Sequence, residues 1–271
     1  METIYLSKPP VKASASEECV LAFGFFDGVH FGHKGILEKA RLIAAGKNCA
    51  FGVMTFYPHP SDILFPERKP MTYLTPLSVK IKRFEQLGVD KLFVIEFNPE
   101  LARLSPEDFV EQYIKSLRCI HAVAGFDYHY GFKGEGSMKT LPIHGAGSFE
   151  VTSVEKIERE GTKISSTEIR RLLDAGKAEA IPDYLGDYFE VEGVVTQCSR
   201  LADHEQFASV APDPDYRLPN KGVYQIKVQI GIRTYLGICH QITNQVNRSS
   251  LLLQVKNCPE DIRSKRLKLN G

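Results

Sequence analysis

The sequence lacks the features that mark several classes of protein. Lys and Arg number 34 and Asp and Glu 33 among its 271 residues, which leaves a formal net charge of +1. This balance argues against a strongly basic nucleic-acid binder and against a polybasic membrane-surface protein. No apolar run approaches the ~20 residues that a transmembrane helix needs. The opening METIYLSKPPVKASASEE has neither the basic start nor the apolar stretch of a signal peptide, so we expect a cytoplasmic protein.

Cysteine pairing is also missing. The six cysteines form no CxxC pair, which argues against a zinc ribbon and against a thioredoxin-like redox motif. Internal repeats and low-complexity segments are absent as well. The composition is that of an ordinary globular protein, with 43% hydrophobic and 25% charged residues.

Short apolar runs alternate with helical patterns through the first two-thirds of the chain. This alternation predicts βαβ units and a parallel sheet, with ligands bound beyond the carboxyl ends of the strands. Thr75 is predicted to cap the second of the helices, with Pro76 in its first turn. The predicted strands are 19–25, 50–56, 91–97, 120–125 and 149–157, and the predicted helices are 33–45, 77–87, 105–117 and 169–173.

The pattern changes near Ile181 and Pro182. Residues 188 onward form strand-like segments separated by turn residues, and only residues 261–269 could form another helix. We therefore predict an α/β domain over residues 1–182 and an antiparallel β-barrel over residues 183–271.

The motif GFFDGVHFGH, at positions 24–33, follows the first buried strand and begins a helix. A helix N-terminus offers unpaired N–H groups and the positive end of the helix dipole. Gly32 would let a phosphate approach the backbone closely, and His30 and His33 can donate hydrogen bonds to phosphate oxygens. A zinc site is disfavoured because the two histidines lack an evident third ligand. A Gly-rich turn with incidental histidines is the other alternative, and we favour a phosphate site.

Another polar motif, ISSTEIR at positions 164–170, also begins a helix. Its Ser and Thr are frequent helix N-caps, so simple capping explains them. Two hydroxyls with Arg170 one turn later would equally bind an anion, since a guanidinium contacts phosphate through two N–H groups. The two roles are compatible.

Two aromatic loops follow further strands. TFYPHP, at 55–60, contains two prolines that stiffen it and argue against a regular helix. GFDYHYGFKGEG, at 125–136, places aromatic residues before a Gly-rich segment. Rigid aromatic loops suit a flat ligand, although a Pro-rich turn and a hairpin would explain them too.

We call these stretches the first motif (24–33), the second motif (55–60), the third motif (164–170) and the fourth motif (125–136). In their order along the chain and in their spacing, they resemble the adenylyltransferase module of prokaryotic bifunctional riboflavin kinase/FAD synthetases. The resemblance covers roughly residues 18–182 and implies a Rossmann-like HxGH nucleotidylyltransferase domain. It implies transfer of AMP from ATP to FMN, giving FAD and pyrophosphate with Mg²⁺. Small-molecule substrates are the expected partners, with neither nucleic acid nor a membrane among them. The sequence carries no signal for an oligomeric state.

The resemblance also implies roles for particular residues. The implied catalytic residues are His30, His33 and Arg170. Those implied to bind ATP are Gly24, Phe25, Asp27, Gly32, Ser166 and Thr167. Those implied to face the flavin are Phe56, Pro58, His59, Pro60, Asp127, Tyr128 and Tyr130, where the family often has Phe at the two tyrosine positions. No protein metal ligand is implied.

The C-terminal region departs from the family. LPNKGVY, at 218–224, resembles a family strand, but the kinase's PTAN motif falls on Phe207, Ala208, Ser209 and Val210. The Gly/Arg-rich turn is replaced by residues 198–203, and no clear counterpart of the catalytic Glu segment is found. We therefore expect a kinase-like barrel without kinase activity.

Four hypotheses follow. The leading one is an FAD synthetase that acts on FMN alone. A bifunctional riboflavin kinase/FAD synthetase is the second. A flavin-binding regulator without catalysis is the third, and the HxGH and SSTxxR motifs argue against it because a pure binder need not hold ATP phosphates. A different adenylyl acceptor is disfavoured by the aromatic loops.

Overall fold

The computed structural model describes residues 1–10, 17–200, 205–243 and 249–271. Its contacts divide the chain into two compact units. The first unit comprises residues 1–71 and 76–164, and the second comprises residues 72–75 and 165–271. The sequence-based division into an α/β domain over residues 1–182 and a barrel over residues 183–271 stays a prediction.

A six-stranded parallel sheet forms the centre of the first unit. The apolar runs make strands because their side chains are buried on both faces, as in sheets covered by helices on each side; β2, for example, is buried along its whole length. The strand order is β1-β4-β3-β2-β5-β8. These strands are β1 (Glu2–Leu6), β2 (Cys19–Phe23), β3 (Ala50–Tyr57), β4 (Lys91–Glu96), β5 (Cys119–Gly125) and β8 (Glu150–Val154).

Helices and short hairpins complete this unit. One core cluster contains Phe23, Met54 and Phe109, and another contains Leu37 and Phe84. A π-helical turn, Val110–Lys115, continues α4. The helices are α1 (Phe31–Lys47), α2 (Pro60–Leu64), α3 (Leu77–Gln86), α4 (Pro106–Phe109) and α5 (Leu141–Gly145). The two-residue strands are β6 (His129–Tyr130), β7 (Gly136–Ser137), β9 (Glu158–Arg159) and β10 (Thr162–Lys163).

Three local expectations for this unit are corrected. Strand β1 was not expected, and it pairs in parallel with β4 at the sheet edge. Pro60 begins the short helix α2 instead of preventing one, because proline fits the first helical position, where no N–H is needed. Helix α3 begins at Leu77 with Pro76 as the capping residue, and no side-chain capping bond is formed there.

The second unit contains a closed barrel of six antiparallel strands, in the order β11-β12-β15-β14-β13-β16. Closure removes the exposed edges that an open sheet would leave. Two helices, α6 (Ser166–Asp174) and α7 (Pro182–Leu185), belong to this unit. The strands are β11 (Glu190–Arg200), β12 (Gln206–Pro212), β13 (Gly222–Ile230), β14 (Arg233–Thr243), β15 (Ser249–Val255) and β16 (Arg266–Asn270).

The prediction of a helix over residues 261–269 is wrong. Residues Arg266–Asn270 form β16, which pairs with both β11 and β13. Leu267 and Leu269 are buried on alternate positions, the two-residue period of a strand. Barrel closure decides this segment, because pairing with two neighbours outweighs its local helical pattern.

The predicted architecture, a Rossmann-like α/β domain followed by a small antiparallel barrel, is confirmed. Within the described residues, the model contains no helix with the length and apolar character needed to cross a lipid bilayer.

Candidate active site

His30 and His33 lie together at the start of α1, beyond the carboxyl end of β2. His30 is the N-cap of α1, and its Nδ1 accepts a hydrogen bond from the backbone N–H of His33 at 3.3 Å. The two imidazole rings stack with centroids 3.6 Å apart. A Cβ on Gly32 would lie 3.1 Å from the His30 ring. Glycine at this position therefore makes room for the histidine ring.

Burial keeps both histidines neutral. It lowers the pKa of His30 to about 4, and the charge of Lys163 acts in the same direction. It lowers the pKa of His33 well below the usual value, with further lowering by His30, Lys80 and Lys163. Because Nδ1 of His30 accepts a backbone hydrogen bond, the proton of its neutral ring must lie on Nε2. The pair therefore offers N–H donors without carrying a charge.

The loop between β2 and α1 has an unusual backbone. Phe26 has φ 55°, Gly28 φ 90° and Val29 φ 47°, a left-handed conformation that only glycine adopts readily. Phe26 and Val29 are nonetheless fully buried. Strained backbone conformations persist only where the surrounding contacts hold them in place, and they are most frequent at functional sites.

Three side chains donate hydrogen bonds to backbone carbonyls of this loop. The Thr55 hydroxyl donates to the Phe25 carbonyl at 3.0 Å, and the Lys80 ammonium donates to the same oxygen at 2.7 Å. The Arg83 guanidinium donates to the Gly28 carbonyl at 3.0 Å. Sequence reasoning did not find Lys80 or Arg83, since lysine and arginine on a helix are usually solvated. Lys80, however, is only 2% exposed.

The remaining residues of the first motif have different positions. Asp27 is buried, at 2% exposure. A Cβ on Gly24 would lie 3.2 Å from the Phe26 ring. Phe25 meets the second loop, since its ring lies 4.5 Å from that of His59 in an edge contact. The structure thus brings the first and second motifs together.

The second motif turns from β3 into α2. Phe56 packs against Phe97 and Phe109 at centroid separations of 6.2 and 6.4 Å. Pro58 follows a cis peptide bond from Tyr57. His59 is the N-cap of α2, which begins at Pro60, and its Nδ1 accepts from the N–H of Ser61 at 3.1 Å.

The fourth motif contributes an ion pair. Asp127 is exposed, and its carboxylate accepts from the Lys163 ammonium. Lys163 also lies 5.0 Å from the Phe126 ring. Both charges act on His30, because Asp127 raises its pKa and Lys163 lowers it. Lys163 is not among the site residues that the sequence predicts.

The two tyrosines of this motif are held within the core. Tyr128 packs on Phe23 at 5.1 Å and on Tyr130 at 6.2 Å. The Tyr130 hydroxyl lies 2.8 Å from Nδ1 of His144, whose Nε2 lies 3.1 Å from a Glu107 carboxylate oxygen. Burial raises the pKa of both tyrosines. Tyr130 is 4% exposed, so its phenol anchors the loop. The sequence gave no indication of its contact with His144.

The third motif begins α6, in the second unit. The Ser165 hydroxyl is the N-cap and accepts from the N–H of Glu168 at 3.2 Å. Ser166 and Thr167 are the first two helical residues. Arg170 is half-buried and donates to the Thr72 carbonyl at 3.0 Å. Capping therefore occurs, and the phosphate-binding roles of Ser166, Thr167 and Arg170 stay predictions.

The two barrel positions that would carry the Thr and Asn of the kinase motif are apolar and buried. Ala208 is 5% exposed and Val210 is fully buried, so neither can ligate a metal or a phosphate. Of the upstream turn, residues 198–200 end β11, and residues 201–203 lie outside the described residues.

A dedicated metal cage is not found in the part of the chain that the structure describes, where no three His, Cys, Asp or Glu side chains gather closely enough to hold an ion. Mg²⁺ generally binds through one or two carboxylates together with the phosphates of its substrate.

A histidine pair at a helix start beyond a parallel sheet, followed by a closed barrel, defines an HxGH-type nucleotidylyltransferase with a C-terminal barrel. The family model described as FAD synthetase matches residues 12–168, more than half of the chain. The chain belongs to the FAD synthetase family.

Relatives agree with this assignment. A protein of Listeria monocytogenes named bifunctional riboflavin kinase/FMN adenylyltransferase is 41% identical over 241 residues, which cover 88% of this chain and 77% of the relative. Another protein of the same organism, named FAD synthetase, is 33% identical over 227 residues, covering 83% and 87%.

A solved structure described as a macrolide-efflux protein from Streptococcus pneumoniae has the same fold. It matches with a TM-score of 0.87 and 24% identity, covering 100% of this chain and 89% of that one. At this identity the likeness shows the fold alone.

Proposed function

We propose that this protein transfers the AMP group of ATP to FMN, giving FAD and pyrophosphate. The enzyme class is that of the family to which the chain belongs. The observation that carries the proposal is the stacked, neutral histidine pair at the N-terminus of α1. The first turn of this helix, Phe-Gly-His-Lys, has no acidic side chain to oppose an anion. The helix start therefore attracts the triphosphate through both its dipole and its donors.

The reaction is a direct displacement. An oxygen of the FMN phosphate attacks the α-phosphorus of ATP, and the bond to the pyrophosphate oxygen breaks. The FMN phosphate is already ionised near neutral pH, so no strong general base is required. Catalysis of this kind depends on positioning and on stabilisation of phosphate charge.

His30 and His33 supply hydrogen bonds to the phosphates in this mechanism. Nε2–H of His30 is the donor that its tautomer leaves available. Nδ1 of His33 is buried and has no hydrogen-bond partner among the described residues. Buried polar atoms nearly always have a hydrogen-bond partner. The unpaired Nδ1 of His33 therefore supports a role in binding a ligand.

The ATP side of the proposal also includes Gly24, Phe25, Asp27 and Gly32 in the first unit. Ser166, Thr167 and Arg170 would bind phosphate oxygens through hydroxyl and guanidinium groups. When bound, Mg²⁺ would neutralise part of the triphosphate charge and would be held through the phosphates.

The flavin side is assigned to the second and fourth motifs. Phe56, Pro58, His59 and Pro60 would border the isoalloxazine ring. Asp127 and Tyr128 would face it, with Tyr130 supporting them from the core. The edge contact between Phe25 and His59 supports placing FMN next to ATP.

The barrel is proposed to lack riboflavin kinase activity, because Ala208 and Val210 replace the residues that would bind phosphate and metal. The reaction is proposed to take place in the cytoplasm, with small molecules as its partners.

One assay with two arms tests these proposals. Flavin-free protein is incubated with ATP and Mg²⁺ plus either FMN or riboflavin, and the products are separated by chromatography. FAD from FMN with riboflavin unchanged is expected. Phosphorylation of riboflavin would show a bifunctional enzyme. Flavin binding without product in either arm would indicate a regulator instead.

A further inference from the structure

Lys80 is a buried cation to which the proposed displacement mechanism assigns no role. It lies on α3 with 2% of its surface exposed. Burying a charged ammonium is costly, so lysine is almost never fully buried unless it is paired. The partners of Lys80 belong to the first motif, which ties this residue to the nucleotide site.

Two contacts connect Lys80 with Phe25. Its Nζ donates to the Phe25 carbonyl at 2.7 Å and lies 4.3 Å from the centroid of the Phe25 ring. Thr55 donates to the same carbonyl. Two donors on one oxygen fix the orientation of the peptide between Phe25 and Phe26. Because this peptide is planar and trans, the N–H of Phe26 points away from Lys80.

The peptide between Phe25 and Phe26 lies directly before the strained part of the loop. Phe26, the next residue, has φ 55°, a conformation that costs free energy in any residue with a side chain. Contacts that hold Phe25 therefore help to maintain the path of the chain from β2 to His30. Lys80 is well placed to act on the histidines through this loop.

The charge of Lys80 also reaches the histidine pair, since it contributes to lowering the pKa of His33. Asp27 in the loop is the charged group that acts on Lys80. Lys163 on β10 acts on His33 in the same direction as Lys80, and Arg83 lies one turn further along α3. Burial lowers the pKa of Lys80 to about 8, and Asp27 opposes this lowering. The ammonium is therefore mostly protonated at pH 7.

We propose that Lys80 is a positioning residue of adenylyl transfer, which holds the 24–30 loop through the Phe25 carbonyl and adds positive charge that acts on His33. The inference rests on the proposed function. Charge placed in a poorly solvated interior acts more strongly than charge at the surface. Phosphoryl and nucleotidyl transfer depend on such stabilisation of negative charge.

The test compares Lys80→Met, which removes the charge and keeps the aliphatic stem, with Lys80→Arg, which keeps the charge. Lys82→Met, an exposed lysine of the same helix, is the matched control. FAD formation is measured from pH 6.5 to 9.5 with separate kcat and KM values for ATP and FMN. FMN binding without ATP and circular dichroism are recorded for each protein.

We expect Lys80→Met to lower kcat by about 10- to 100-fold with the KM for FMN unchanged, a smaller loss than the roughly 10²–10³ for a direct donor to the transition state. Lys80→Arg should stay within about threefold of the wild type, since guanidinium keeps the charge. Wild-type kcat should fall as the pH rises through about 8. Lys80→Arg should not show this fall, because arginine stays protonated.

Three results would overturn the inference. One is a folded Lys80→Met protein with wild-type kcat. Another is a Lys80→Arg protein as slow as Lys80→Met, which would indicate a purely steric role. The third is a wild-type profile that does not change between pH 7 and 9.5, which remains informative if Lys80→Met fails to fold. A wild-type protein that makes no FAD would instead refute the proposed function.

Discussion

At the scale of single residues, protonation explains how two stacked histidines can serve a phosphate site. Protonated imidazoles 3.6 Å apart would repel one another, whereas neutral rings stack readily. Burial lowers the pKa of both His30 and His33, and the backbone bond from His33 orients the His30 ring. The site therefore has hydrogen-bond donors whose availability does not depend on pH near neutrality.

Replacing His33 tests its role most directly. His33→Ala should lower kcat for FAD formation by on the order of 10²–10³, the usual effect of removing one donor to a transition-state charge. His240→Ala, which removes an exposed barrel histidine, is the control and should leave the rate unchanged. An unaltered rate in folded His33→Ala would contradict the assigned role.

The buried His30 also predicts a pH dependence of stability. Its folded pKa is about 4, below the value near 6.5 for an unfolded chain. Between these values the unfolded chain binds more protons than the folded protein, so the free energy of unfolding should decrease as the pH falls from about 6.5 toward 4. The contribution lost is about 3 kcal/mol.

Urea unfolding of the wild type and His30→Gln at several pH values measures this contribution. The variant loses the N-cap bond at every pH, which shifts its whole curve, so the slope is the informative quantity. We expect a shallower slope for His30→Gln than for the wild type. Parallel curves would show that His30 titrates normally in the folded protein.

At the scale of elements, the loops that follow the strands are held by packing against their neighbours. The fourth motif is an example, since Gly131 has φ 73° and an added Cβ would lie 2.8 Å from backbone atoms of Pro106. The Tyr130 phenol is fixed beside it by His144. A substitution here should therefore disturb the whole loop, including Asp127 and Tyr128.

Gly131→Ala and Gly147→Ala separate steric contact from backbone strain. Gly147 has φ 77°, but an added Cβ would meet nothing within 4 Å. We expect Gly147→Ala to cost about 1 kcal/mol in the free energy of unfolding. Gly131→Ala should cost a further ~1–3 kcal/mol from overpacking and should weaken FMN binding. Equal effects in urea unfolding and in FMN titration would show that the contact with Pro106 does not matter.

At the scale of the whole molecule, the boundary after Ile164 assigns the start of helix α6 to the second compact unit. Helix α6, which begins with the third motif, belongs to the second unit, and its C-terminal end is bonded to residues before β13. The N–H of Asn220 donates to the Leu173 carbonyl at 2.8 Å, and Arg217 pairs with Asp174. The barrel unit thus supports a helix that the proposed ATP site requires.

A fragment of residues 1–182 tests this dependence. All residues assigned to FMN lie within residues 56–130, so we expect its affinity for FMN to stay within about threefold. Its affinity for ATP should fall by about tenfold or more, because α6 loses Arg217 and Asn220 and tenfold corresponds to about 1.4 kcal/mol. Flavin fluorescence and ATP titration measure the two affinities. Full ATP affinity in the fragment would show that α6 is stable without the barrel.

The sequence by itself determined the fold class, the buried parallel strands and the order of the four motifs. Continuous apolar runs and residues with restricted backbone preferences act locally, so they can be interpreted without knowing what they pack against. His30, for instance, could be placed at a helix start because a strand pattern ended just before it. The same local reasoning located Ser165 and its neighbours at the start of α6.

Tertiary structure alone decided the features that depend on distant partners. The segment 261–269 has a helical pattern, but β16 forms there because two other strands complete the barrel around it. Lys80 has the sequence context of an exposed lysine, and only the packing of α3 against the 24–30 loop buries it. The neutrality of the histidines, likewise, comes from burial among residues far apart in the chain. Such properties arise from three-dimensional contacts, which local sequence patterns do not encode.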